Sequence, residues 1–213
     1  MGYPILYTFR RCPYAIRGRM ALSYAGIGVE LREISLKSRP KELYSISPKG
    51  TVPVLELDDG TVIDQSIDIM MWSLDKSDPD GWLGNDIELQ MEMVGDNDGD
   101  FKRWLDRYKY HNRYPESPME SYRDRCASYF SRYDDALAGQ GYLIGDSACL
   151  ADIAIFPFIR QAANVDMEWF RKEYVNLARW LERFVRCELF ESVMVKYSIW
   201  EPGSDPRIIN FSK

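Results

Sequence analysis

Leu6-Tyr7-Thr8-Phe9-Arg10-Arg11-Cys12-Pro13-Tyr14-Ala15 is the stretch that decides how this chain is read. A short apolar strand gives way to two arginines, then to a thiol with proline directly behind it. Proline suits the first turn of a helix, where its missing N–H has no partner to lose. The residues that follow, Ile16 to Tyr24, carry apolar side chains at Ile16, Met20 and Leu22, with Ala25 next, and read as that helix. Cys12 is therefore expected at a helix N-terminus, where unpaired N–H groups and the macrodipole favour a negative charge. Such conditions depress a thiol pKa and make the thiolate a nucleophile. Ala15 holds the place of the second cysteine of a C-x-x-C pair, so this thiol needs an external partner to resolve it. Cys126, Cys149 and Cys187 fall among helical apolar positions and read as small buried residues.

Working outward, residues 4–75 alternate between strand and helix periods. Ile5 to Phe9 is strand-like and residues 13–25 are helical. Gly26-Ile27-Gly28 stops the helix, and Val29 to Ile34 forms a second strand. A short helix from Pro40 to Ile46 ends at Ser47-Pro48-Lys49-Gly50. Val52 to Leu57 and Thr61 to Ile63 flank Asp58-Asp59-Gly60, a hairpin signal, and helix returns from Ser66 to Leu74. The order βαβαββα defines an α/β domain over residues 1–75.

Asp75 to Gly81 is polar and contains proline and glycine, which marks a linker over residues 76–86. From residue 87 to 213 no strand pattern is convincing, so an all-helical domain is expected. Residues 87–110 form a long polar-rich helix, interrupted afterwards by Pro115 and Pro118. Tyr122, Cys126, Tyr129, Tyr133 and Leu137 mark the buried stripe of the next. Leu150 to Ala163 is apolar on nearly every side and reads as the central helix. Trp169, Leu177, Trp180, Leu181 and Phe184 line one more.

The 213 residues, 46 % hydrophobic and 28 % charged, have an ordinary globular composition with room for a real core. No run approaches the ~18 apolar residues of a membrane span, and Met1-Gly2-Tyr3-Pro4 leaves no space for a signal peptide. Four scattered cysteines make neither a disulfide framework nor a metal cluster, which fits a cytoplasmic protein. Asn210-Phe211-Ser212 is then a chance sequon. The net charge of −6 argues against nucleic acid as a partner. Residues 1–41 nonetheless hold eight basic residues against Glu30 and Glu33, so an acidic protein carries a basic island suited to a small anion.

These features together resemble the cytosolic glutathione transferase superfamily over nearly the whole chain. Cys12-Pro13-Tyr14-Ala15 is similar to the motif of its cysteine-type classes: Omega, dehydroascorbate reductases and bacterial relatives. Thr51-Val52-Pro53-Val54-Leu55 looks like the family's cis-proline segment, and Gln65-Ser66 like the pair that holds the γ-glutamyl end of glutathione. The resemblance implies a thioredoxin-like domain followed by a helical bundle, with glutathione as cosubstrate, no metal, and a homodimer. It implies that Cys12 is the catalytic thiol, and that Val52 offers its backbone N–H and C=O to the tripeptide beside a cis Pro53. Gln65 and Ser66 would take the γ-glutamyl carboxylate, and Arg39 the glycine carboxylate, with Lys37, Lys41 and Lys49 as substitutes. Tyr14, Trp104, Tyr108 and His111 would wall a second-substrate pocket, the last three spaced i, i+4, i+7 along one helix.

The implied chemistry is thiol transfer to a small disulfide, an electrophile or a glutathionylated substrate. The alternatives are conventional conjugation, for which Tyr7 or Thr8 on the first strand could be mistaken for the hydroxyl donor and against which Cys12-Pro13 argues, and a non-enzymatic protein-binding scaffold. One departure concerns folding. The family's Ser/Thr-x-x-Asp capping box reads Cys149-Leu150-Ala151-Asp152 here, with Ser147 as a substitute cap.

Overall fold

Strand β1 (Ile5–Thr8) is buried along almost its whole length and has a neighbour on each edge. It pairs in parallel with β2 (Val29–Glu33), with Ile5 opposite Glu30 and Thr8 opposite Glu33. On its other side it pairs antiparallel with β3 (Val54–Glu56), which turns through a hairpin into β4 (Val62–Ile63). Helix α1 (Pro13–Tyr24) makes the crossover between the two parallel strands, as such a pair requires. Helices α2 (Lys41–Ile46) and α3 (Ser66–Lys76) complete the βαβαββα order. Gly50, at φ +61°, takes a conformation that a side chain resists and turns the chain toward Val52-Pro53, which is cis.

The computed structural model describes residues 2–84 and 86–211, so Ser212 of the sequon and Asn85 of the linker lie outside the described residues. Two compact units result: Met1–Asp80 with Cys187–Lys213, and Gly81–Arg186. The sequence reading placed residues 187–213 with the helices, yet they group with the sheet. Their last element is a strand that the reading missed. Ile208–Ile209, numbered β5 below, pairs antiparallel with Val29 and Glu30 and gives the sheet order β4-β3-β1-β2-β5. Two residues are too few to display an alternating pattern. Leu6, Ile16, Met20, Leu22, Leu31, Leu55, Ile69 and Met70 are fully or almost fully buried in this unit. Each contributes roughly 1.5–3 kcal/mol of transfer free energy.

The second unit is helical: α4 (Ile87–Asp96), α5 (Lys102–Lys109), α6 (Met119–Ala136), α7 (Leu150–Ala163), α8 (Met167–Glu173) and α9 (Val175–Val185). Glu188–Val193 forms α10 in the first unit, placed before β5 in the chain. The single helix expected over 87–110 runs on without a gap to Lys109, as α4 and α5 joined by a wide π turn at Asn97–Phe101, where two glycines and three aspartates lie close in sequence. On α6 the buried stripe runs through Phe130, with Tyr129 only partly covered, one position away from the expected residue. Trp169 belongs to α8 and is separated from α9 by Tyr174, so one expected helix is two. Helix α7 has the expected bounds and is buried nearly all round.

Asp152 explains how α7 is started without a hydroxyl. Its Oδ2 accepts from the Cys149 N–H at 3.0 Å and from the Cys149 thiol at 3.1 Å. Its Oδ1 accepts from the Leu143 N–H at 3.0 Å and from Trp180 Nε1 at 2.7 Å. The thiol thus serves mainly as a donor to the carboxylate. Cys149 remains the N-cap, and Ser147 is exposed and takes no part.

Candidate active site

Cys12 lies directly ahead of α1, with extended backbone angles (φ −72°, ψ 123°) and Pro13 at the first helical position. Its carbonyl starts the helix by accepting from Ile16 N–H at 2.9 Å, and its own N–H closes a turn on the Phe9 carbonyl at 3.0 Å. The side chain makes no capping hydrogen bond to the helix. It is half-buried against a cluster of Tyr7, Ile34, Leu43, Val52 and Val54, and the thiol donates to the Val52 carbonyl at 3.5 Å. The cis Val52-Pro53 peptide therefore stands beside Cys12. A methyl group at Gly18 would meet the Pro53 ring at 3.6 Å, so α1 rests on that proline.

Ser66 is the first residue of α3, with Gln65 as the extended N-cap and no side-chain cap from it. Ser66 is buried and Gln65 exposed. The Ser66 hydroxyl accepts from Arg17 Nε at 3.0 Å, and the guanidinium also covers the Tyr14 ring at 5.1 Å. Arg17 thereby brings positive charge to the N-terminus of α3, which already favours an anion. Nothing in the sequence links Arg17 to Ser66, 49 positions away, and the reading missed it.

Arg39 is exposed, immediately before Pro40, the N-cap of α2. Of its three substitutes, Lys49 is engaged: it pairs with Asp64 at 3.0 Å, and Asp64 also accepts from the Ser47 hydroxyl. Those two donors, Lys49 first, hold the Asp64 carboxyl below the usual range. Lys37 and Lys41 are exposed.

The two hydroxyls named as alternative donors are both held by arginines. Tyr7, 1 % exposed, is bonded to Arg32 at 2.5 Å, and Arg32 is paired in turn with Glu30 at 2.7 Å. Burial raises the Tyr7 pKa, and the bond and charge of Arg32 only partly oppose it. Thr8 Oγ1 accepts from Arg19 at 2.5 Å. The environments of the remaining thiols disfavour the thiolate. Burial pushes Cys126 up to about 12, burial followed by the Asp152 charge does the same for Cys149, and burial raises Cys187.

Of the proposed pocket residues, Tyr14 lies on α1 and the others lie in the helical unit. Trp104 on α5 is half-buried among the guanidinium groups of Arg103, Arg107 and Arg125. Tyr108 is buried, and its hydroxyl, pushed up to about 12 chiefly by burial, feels Asp166, Arg123 and Cys126 of the same unit. His111 stands in a separate 3₁₀ turn, because α5 ends at Lys109. The expected i, i+4, i+7 register stops at Tyr108. Among the described residues, no group of histidine, cysteine or carboxylate side chains is arranged to hold a metal ion, and no helix is long and apolar enough to cross a membrane.

A thioredoxin-like sheet with a Cys-Pro helix start and a cis-proline beside it, followed by a helical unit, is the architecture of glutathione transferases. The family models agree: residues 6–81 match the glutathione S-transferase N-terminal domain and residues 102–188 the C-terminal domain. This chain belongs to the glutathione S-transferase family. It is 24 % identical over 180 residues to glutathione S-transferase omega-1 of Mus musculus, covering 83 % of this chain and 74 % of the mouse protein. In fold it is similar to the glutathione transferase URE2P6 from Phanerochaete chrysosporium, solved with oxidised glutathione. There the TM-score is 0.78 at 18 % identity, over 90 % of this chain and 94 % of the other. A family member from Pseudomonas fluorescens with two glutathione molecules bound aligns with a TM-score of 0.74 at 18 % identity, over 90 % and 92 % of the two chains.

Proposed function

We propose that the protein is a cysteine-type glutathione transferase that carries out thiol transfer through Cys12. The observation that carries this reading is the setting of that thiol. It stands at the start of α1 beside the Val52 carbonyl, with Ala15 where a resolving cysteine would be. The Cys12 thiolate attacks the glutathionyl sulfur of a mixed disulfide. The sulfur–sulfur bond breaks, the substrate leaves as its thiolate and takes up a proton, and Cys12 is left joined to glutathione. A second glutathione thiolate attacks that glutathionyl sulfur, releasing Cys12 and oxidised glutathione. Both steps follow thiolate fraction and leaving-group pKa.

In this reading Arg39 takes the glycine carboxylate. Ser66, Gln65 and the N-terminus of α3 take the γ-glutamyl end, and Val52 pairs with the peptide backbone. Substrates are glutathionylated thiols, small disulfides or glutathionyl adducts of electrophiles, approached past Tyr14. Conjugation through a hydroxyl donor is the weaker reading, since Tyr7 and Thr8 are almost wholly buried, at 1 % and 0 % exposure.

Mass spectrometry after oxidised glutathione tests the proposal, together with assays of disulfide reduction and of conjugation to an aromatic chloride. One glutathione per chain is expected, mapped to Cys12, and Cys12→Ser abolishes reduction while leaving weak conjugation. An adduct mapped to Cys126, Cys149 or Cys187, or a wild type that only conjugates and loses this on Tyr7→Phe, overturns it.

A further inference from the structure

Arg19, seven residues beyond Cys12 on α1, is 2 % exposed, an expensive place for a guanidinium unless its donors are satisfied. They are spent on the turn that carries Cys12. One terminal nitrogen donates to Thr8 Oγ1 at 2.5 Å and to the Phe9 carbonyl at 3.5 Å, and the other to the Arg10 carbonyl at 2.9 Å. Nε donates to the Val193 carbonyl at the end of α10 at 3.0 Å, which seats the group from the far side. Glu33, 6 % exposed, grips the same turn by accepting the Arg10 N–H at 2.8 Å. The Cys12 N–H then closes the turn on the Phe9 carbonyl.

We propose that Arg19 is the positioning residue of the thiol-transfer site: its guanidinium fixes the Thr8–Cys12 turn and stabilises the Cys12 thiolate from inside the protein. The inference rests on Cys12 acting as a thiolate, as proposed above. Burial lowers the Arg19 pKa to about 10, while Glu33 and then Cys12 pull it upward, so the group stays charged at neutral pH. Coupling between two charges is reciprocal: a cation stabilised by the thiolate stabilises the thiolate in return. The other groups facing Arg19 are Arg10 in the turn and Tyr197 in the C-terminal segment. Glu33 opposes the effect, since its carboxylate shields the guanidinium.

The test is the pH profile of iodoacetamide alkylation, followed on the Cys12 peptide by mass spectrometry. Arg19→Met is expected to raise the inflection by about one unit, roughly tenfold slower alkylation below it. Arg19→Lys keeps a charge and moves the inflection much less. Glu33→Gln keeps an acceptor for the Arg10 N–H and removes the opposing anion, so its inflection falls. A folded Arg19→Met with an unmoved inflection overturns the proposal, as does an Arg19→Lys shift as large as that of Arg19→Met. Should Arg19→Met fail to fold, Glu33→Gln decides, and an inflection that stays or rises overturns it. A wild type that is alkylated at Cys12 but never forms a glutathione adduct overturns the thiol-transfer reading instead.

Discussion

The Cys12 thiol donates to the carbonyl oxygen of Val52, 3.5 Å away in space and 40 positions on in sequence. The sheet produces this meeting. Pairing of Tyr7 with Val54, Leu6 with Leu55 and Ile5 with Glu56 fixes the register of β1 against β3. The residues just after β1 and just before β3 then emerge side by side. A one-residue slip would turn every side chain of β3 to the opposite face and separate them.

Glutathione recognition is expected to fail in two separable ways. Arg39→Ala and Ser66→Ala each remove a charge-assisted contact, which costs about 1.5–3 kcal/mol, roughly ten- to hundredfold in affinity. Ser66→Ala also leaves Arg17 Nε without its buried acceptor, so its melting temperature falls, whereas exposed Arg39→Ala melts like wild type. Calorimetry with glutathione and a melting curve on each variant check both halves. Unchanged affinity in both removes these residues from the site.

Asp152→Asn is expected to destabilise the helical unit by about 2–4 kcal/mol. The fully buried carboxylate accepts from the Leu143 and Cys149 N–H groups, the Cys149 thiol and Trp180 Nε1. An amide retains one acceptor oxygen and points a donor at groups that are themselves donors. Urea titration followed by tryptophan fluorescence reads the loss, and a midpoint equal to that of wild type would show that this cap is dispensable.

Stability should decline in the alkaline range. Cys126 and Cys149 shift from the ordinary 9.0 to about 12 in the fold. Between those values the folded chain holds protons that the unfolded chain has lost. The unfolded state then binds fewer protons, and the stability present below pH 9.0 is lost as pH rises toward about 12. Each such group contributes a slope of about 1.4 kcal/mol per pH unit. Cys126→Ala lowers stability at neutral pH by leaving a cavity, but its alkaline slope should be shallower by one proton. Denaturant midpoints across this range measure the slope, and an identical slope in the variant refutes the assignment.

The α/β order was legible because its signals are local. Pro13 and Pro40 mark helix starts, Asp58-Asp59-Gly60 marks a hairpin, and apolar periods switch between two and 3.6. Helix α7 was legible for the same reason. The π turn at Asn97–Phe101, the division at Tyr174 and the two-residue strand β5 were not, because each is chosen by what the backbone packs against. Propensity over so few residues is too weak to resist such packing.

By itself, the sequence determined the parts of the candidate site that lie on single elements: Cys12 ahead of a helix start, Val52-Pro53 ahead of β3, and Ser66 opening α3. Tertiary structure decided which of these groups touch and what surrounds them. It brought Arg17 to Ser66, placed Arg19 and Glu33 around the Cys12 turn, and buried Tyr7 and Thr8 against Arg32 and Arg19. It also returned the C-terminal segment to the sheet edge. Capping, turns and helix periods act over a few bonds, so they can be read along the chain. A buried arginine is placed by satisfying its donors in three dimensions, and that condition leaves no mark on its neighbours in sequence.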